Sequence, residues 1–189
     1  MLNSIFTKIR ENGFTLMETL VYITILVIVI FSMSSVLIWS VQINTRNKVA
    51  TETLSNARRV MEQMTYEIRE AKSVYIPTSR FYPNNPGQLS LETEKYLPAG
   101  ENKSYIDFYI LDGRLCFKKE SQNPIFPTSD PIFLTSDKVE VTNLVFSMVV
   151  TNQTPSIQVD LTINYKNPNG RPEYQSSVSL RSVDSLRSY

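Results

Sequence analysis

The chain has 189 residues, 42% of them hydrophobic, and a formal net charge of only +1. That is room for one ordinary domain plus an anchor, and the charge gives no sign of bulk nucleic-acid binding. One cysteine and no histidine exclude an intramolecular disulfide, a Ser-His-Asp or Cys-His site and any His-containing zinc site.

Charge placement says more than the total. Lys8 and Arg10 make the start basic, and no charged residue then occurs between Glu18 and Arg46. The 22 residues from Leu20 to Val41 would span about 33 Å as a helix, enough to cross a bilayer with some tilt. Leu20, Val21, Ile25, Leu26, Ile28, Ile30 and Leu37 are expected to face lipid. The run is too long for the core of a secretory signal, and no small-residue cleavage site follows it. A plain single-pass anchor is the simplest reading. It leaves one feature unexplained: the small residue, Gly13, stands before the apolar run, followed by Phe14 and then by a carboxylate, Glu18.

The stretch Gly13-Phe14-Thr15-Leu16-Met17-Glu18-Thr19-Leu20-Val21 resembles the class III leader of type IV prepilins and type II secretion pseudopilins. Four features coincide: a polar basic leader, Gly, an apolar residue directly after it and Glu at the fifth position beyond the cut. The resemblance implies a leader over 1–13, removed by a prepilin peptidase after Gly13, and N-methylation of the new terminus at Phe14. It also implies a cytoplasmic N-terminus in the inner membrane, then passage into a filament. Flanking cations leave the positive-inside rule near a tie, Lys8 and Arg10 facing Arg46 and Lys48. Glu18 is the telling residue. A carboxylate deep in a membrane helix costs a few kcal/mol and so invites a partner. In the family that partner is the N-terminal ammonium of the neighbouring subunit; the plain alternative is a carboxylate resting among headgroups. Implied partners are the prepilin peptidase, the inner-membrane assembly platform, other major and minor pilins or pseudopilins, and membrane lipid before assembly. Whether DNA or a secreted substrate is touched is left open. No cofactor and no metal site is expected.

No Gly or Pro occurs from Phe14 through Ile76, which predicts one helix with an apolar half over 14–41 and an amphipathic half over 42–76. In the second half Ala50, Leu54, Ala57, Met61, Met64, Ile68 and Ala71 recur in alternating steps of four and three, a single narrow stripe. It reads either as a coiled-coil seam or as a helix packed on a sheet, and the β-rich region that follows favours the sheet. Type IVa pilins often carry a mid-helix proline; Ser32, Ser34 and Ser35 stand there instead.

Residues 77–189 form the head. Prolines 77, 83, 86 and 98 break up its start, leaving Gln88–Glu92 as a short strand. Asp112-Gly113 between Tyr105–Leu111 and Arg114–Lys118 predicts a hairpin with a tight primed turn. After a second loop with Pro124, Pro127 and Pro131, alternation over 144–150 and 157–165 predicts two more strands. Following Asn167-Pro168-Asn169-Gly170, a last face is expected at Tyr174, Ser176, Val178 and Leu180. Such alternation implies an antiparallel sheet with one wet side, its dry side meeting the helix stripe. The fold class is therefore α+β and pilin-like. Asp107 and Asp160 are placed on wet faces, and Cys116 as a half-buried residue.

Residues 138–182 also resemble J-type minor pseudopilins and PilW-like minor pilins, though less specifically than the leader. The chain lacks the cysteines of the major pilins' C-terminal loop and a carboxylate run at calcium-loop spacing, which argues for a minor subunit. The expectation is a non-enzymatic filament subunit. The alternatives are a membrane-anchored β-domain that binds a ligand or surface, and a tethered hydrolase with a carboxylate or Ser-Lys site.

Overall fold

The computed structural model describes residues 13, 15–95, 97, 102–120, 131–151 and 154–187, excepting the side chains of 120, 150, 151 and 154. Most of the expected leader, Phe14, and prolines 98, 124 and 127 lie outside these residues. Two compact units are present, one ending at Ile43 and one running from Asn44 to Tyr189. The secondary structure is α+β: one long N-terminal helix and two antiparallel sheets.

Helix α1 spans Leu16–Glu70, 55 residues. Thr15 starts it, because its hydroxyl and carbonyl oxygens both accept from the Glu18 amide, at 3.2 and 3.0 Å. An acid in the first turn suits the positive end of the helix dipole. The amphipathic half was expected to run to residue 76 but stops at Glu70. The Lys72 amide donates to the Glu92 carbonyl at 2.8 Å, and Ser73–Val74 leaves as strand β1. Lack of Gly and Pro only permits a helix; the aromatic and β-branched stretch Val74-Tyr75-Ile76 favours an extended chain where a strand is available to pair with.

In the second unit β1 joins β2 (Leu89–Thr93), β3 (Ser104–Leu111), β4 (Arg114–Glu120) and β5 (Ile132–Phe133) in a five-stranded antiparallel sheet in chain order. A separate three-stranded sheet holds β6 (Val139–Thr151), β7 (Thr154–Tyr165) and β8 (Ser177–Ser185). One sheet was expected and there are two. The β3–β4 hairpin turns as anticipated, with φ of +51° at Asp112 and +72° at Gly113, the left-handed pair that a primed turn requires. Tyr174 belongs to a 3₁₀ turn rather than a strand, and the inward row of β8 is Val178, Leu180, Ser182 and Asp184.

The proline-marked loop before β2 has a structural role that its composition hid. Its Tyr82 and Gly87 amides donate to the Phe146 and Leu144 carbonyls at 2.8 and 2.7 Å, so the loop covers the outer edge of β6. Gly87 is required there: a Cβ would lie 3.0 Å from Phe146 Cδ2 and 3.1 Å from the Arg80 carbonyl. An edge paired in this way is no template for another chain.

The core of this unit gathers Ala57, Val60, Met64 and Ile68 of α1, Leu89, Ile106, Phe108 and Leu115 of the first sheet, and Leu144, Phe146, Val159 and Leu161 of the second. The helix stripe is shifted from the expected one. Ala57, Met61, Met64, Ile68 and Ala71 are buried as anticipated, but Leu54 is only half-buried and Ala50 is exposed. The buried positions are Val49, Thr53, Asn56, Ala57, Val60, Met61, Met64, Ile68 and Ala71, a broader face than the single stripe expected. A face of that width is what a helix covered by other elements buries, whereas a coiled-coil seam is narrower.

Candidate functional site

The first unit carries the features singled out in the sequence. Gly13 is exposed, and a Cβ built on it would meet nothing within 4 Å among the described residues. Phe14 lies outside the described residues. Glu18 follows in the first turn of α1, where the Tyr22 hydroxyl donates to its Oε1 at 3.1 Å, one helical turn away.

From Leu16 to Val41 every large apolar side chain is exposed. The seven lipid-facing candidates Leu20, Val21, Ile25, Leu26, Ile28, Ile30 and Leu37 are 45–67% exposed. The apolar character runs all round the helix, and its most apolar 18-residue window has a mean hydropathy of 2.6 with none of it buried. This helix is long and apolar enough to cross a membrane. Its hydroxyl groups do not spoil that property. Thr24 donates to the Leu20 carbonyl at 2.8 Å, Ser34 to Ile30 at 2.8 Å and Ser35 to Phe31 at 3.0 Å. Each of these three hydroxyl protons is satisfied within its own helix, which lowers the cost of placing it in hydrocarbon. Serines 34 and 35 occupy the mid-helix region without interrupting α1.

The second unit contains two buried carboxylates that periodicity did not identify. Asp184, 3% exposed on the inward row of β8, accepts from Thr65 at 3.0 Å and from Arg69 Nε at 2.9 Å, and Ser182 donates to it as well. Burial works to raise its pKa, but the donors from Ser182, Arg69 and Thr65 outweigh burial and hold it below the usual carboxylate value. These bonds tie β8 to the helix. The signal available in the sequence was an acid at an inward position of an alternating strand, in a chain with an Arg on the helix.

Asp107 corrects an expectation. It was placed on a wet strand face and is fully buried, because both faces of β3 are covered from Ser104 to Tyr109. Burial raises its pKa, against a hydrogen bond donated by Ser90 and the charge of Lys118. Its Oδ2 accepts no hydrogen bond among the described residues. Asp160 is partly exposed and held by Arg181 and by Gln158 at 2.7 Å, an ordinary surface network. Cys116 is fully buried rather than half-buried, and burial pushes its thiol up to about 11, which makes it inert.

A further set of bonds fastens the helix to the loop before β6. The Ser136 amide donates to Asn56 Oδ1 at 2.9 Å, and its hydroxyl to Glu52 Oε1 at 3.1 Å. Among the described residues no group of three or more His, Cys, Asp or Glu side chains is placed to hold a metal ion. Compared with known proteins, the chain matches no family model, no curated protein and no solved structure.

Proposed function

We propose that this chain is a minor pilin or pseudopilin, a subunit of a type IV pilus, competence pseudopilus or type II secretion pseudopilus. It is made as a membrane-anchored precursor, cut after Gly13 by a prepilin peptidase, N-methylated at Phe14 and assembled through its N-terminal helix. The observation that carries the reading is a helical segment apolar on every side with one carboxylate, Glu18, in its first turn. Such a surface is unstable in water, at about 1.5–3 kcal/mol for each large side chain left exposed. Lipid satisfies it first, and the apolar helices of neighbouring subunits satisfy it afterwards. The carboxylate is unfavourable in lipid but useful beside a newly exposed ammonium, and this asymmetry favours transfer from bilayer to bundle. By its likeness to J-type subunits the chain acts near the filament tip together with other minor pilins, and the assembly platform of the inner membrane extracts it.

Intact mass of the mature protein tests the first step. Loss of residues 1–13 and a methyl group on Phe14 are expected, and an uncut terminus in cells with active prepilin peptidase would overturn the reading. Gly13→Ala should leave an unprocessed precursor in the membrane. The second reading, a permanently anchored β-domain that binds a ligand or surface, is favoured by the folded core of the second unit. It expects Gly13→Ala to have no effect.

A further inference from the structure

Strand β8 ends the three-stranded sheet, and its outer side is open. In an antiparallel ladder alternate residues turn their N–H and C=O toward the neighbouring strand, and the rest turn theirs away. The bonds flanking β8 fix which are which. The Leu186 amide donates to the Pro155 carbonyl at 3.1 Å and the Tyr165 amide to the Ser176 carbonyl at 2.9 Å, so the even-numbered residues of β8 bond to β7. Ser177, Ser179, Arg181, Val183 and Ser185 therefore point their backbone groups outward, and no described residue bonds to those groups. The side chains of the same row are the exposed ones.

The other sheet ends are guarded. Loop amides occupy the edge of β6 at Leu144 and Phe146, and β1 and β5 are two residues each. β8 runs nine residues without proline, lysine or a register shift, the devices that commonly blunt an edge. Its two charges are committed within the unit: Arg181 to Asp160, and the inward Asp184 to Arg69 and Thr65. Outward N–H and C=O groups repeating about every 6.8 Å are matched by another extended strand with an open edge of its own. Among the described strands, β8 is the one long edge with no backbone partner, so a second copy supplies the complement.

We infer that β8 pairs antiparallel with β8 of a second copy across a two-fold axis, joining the two three-stranded sheets into one. Outward residues must face outward residues, and charge and burial choose the register. A pairing centred on Arg181 sets two guanidinium groups opposite each other, which is unfavourable. Centred on Val183, the pairing sets Arg181 opposite Ser185 and Leu180 opposite Leu186, and the two Val183 side chains cover one another. Val183 is 61% exposed and is the one large apolar side chain left open on β8. The inference does not rest on the filament reading and stands or falls without it.

The test uses the full chain in neutral detergent micelles, with single cysteines introduced in β8; the native Cys116 is fully buried. Opposed residues of such a pair lie about 5.5 Å apart at Cα, within disulfide reach, so mild oxidation should cross-link V183C chains. R181C alone should not cross-link, because its two copies are about 14 Å apart along the strands, whereas R181C mixed with S185C should. V183P removes an outward N–H and leaves the β7–β8 bonds in place. Both central bonds of the pair are then lost, and self-association measured by sedimentation should weaken on the order of thirty-fold. Absence of the V183C cross-link, or equal cross-linking of R181C alone, would overturn the inference. So would V183P chains that associate as tightly as wild type, since the contact would then lie elsewhere. The cysteine variants keep the test decisive should V183P fail to fold.

Discussion

Leu26 and Leu161 are the same side chain in opposite circumstances. Leu26 in the first unit is 58% exposed, and Leu161 in the second is 1% exposed. In the second unit apolar side chains from the helix and both sheets bury one another, and the stabilisation is complete within the chain. In the first unit equally apolar side chains are buried by none of the described residues, so any burial has to be supplied from outside them. Hydrophobicity is a property of the residue, whereas burial depends on what else the chain brings to it. A segment that is apolar all round therefore describes its surroundings as much as itself.

The largest expected effect exploits that pair. Leu161→Ala should lower the unfolding free energy of the second unit by about 2–5 kcal/mol, read from denaturant midpoints in detergent, while Leu26→Ala should leave it within about 0.5 kcal/mol. Equal effects would mean that the first unit is stabilised from within. Next comes the tie between helix and β8. Asp184→Asn weakens the bonds from Thr65 and Arg69 and should cost about 1–3 kcal/mol. Because Asp184 has a lowered pKa, its contribution is present above the ordinary value of 3.8 and is lost as pH falls through its folded value. Acid unfolding of wild type should therefore steepen there, and Asp184→Asn should remove that component.

Asp107 should behave with the opposite sign. Its folded pKa is raised, so it binds more protons folded than unfolded, and stability declines as pH rises from 3.8 through the folded value. Asp107→Asn should therefore gain stability relative to wild type as pH rises above 3.8; a parallel pH profile would refute the burial of that carboxylate. The smaller effect is at the hairpin. Gly113→Ala must hold φ at +72° with its Cβ 3.0 Å from Glu140 Cγ, and should cost about 1 kcal/mol. Asn at 113 tolerates the left-handed region better and should cost less, measured by thermal unfolding.

The apolar run depends on local composition and chain order, and it is legible along the sequence. So are the β3–β4 turn, where Asp-Gly supplies the left-handed pair, and the strands of 144–150 and 157–165, whose alternation reports a half-buried sheet. The helix terminus was not legible, because it depends on the offer of β2 as a pairing partner. Nor was the shift of the stripe from Leu54 to Thr53, which depends on the orientation of two sheets against an uncoiled helix. Asp107 and Asp184 were hidden for a related reason: alternation tells which residues share a face but not whether another element covers that face.

The sequence by itself determined that an apolar, charge-free helix with a single acid at its start precedes a β-rich region, since periodicity and charge are written residue by residue. Tertiary structure alone decided that the β region is two sheets, that the proline loop covers the β6 edge and that Asp184 is secured by Arg69 and Thr65. Those outcomes depend on contacts between residues up to 119 positions apart, and no local pattern records which distant segment will arrive.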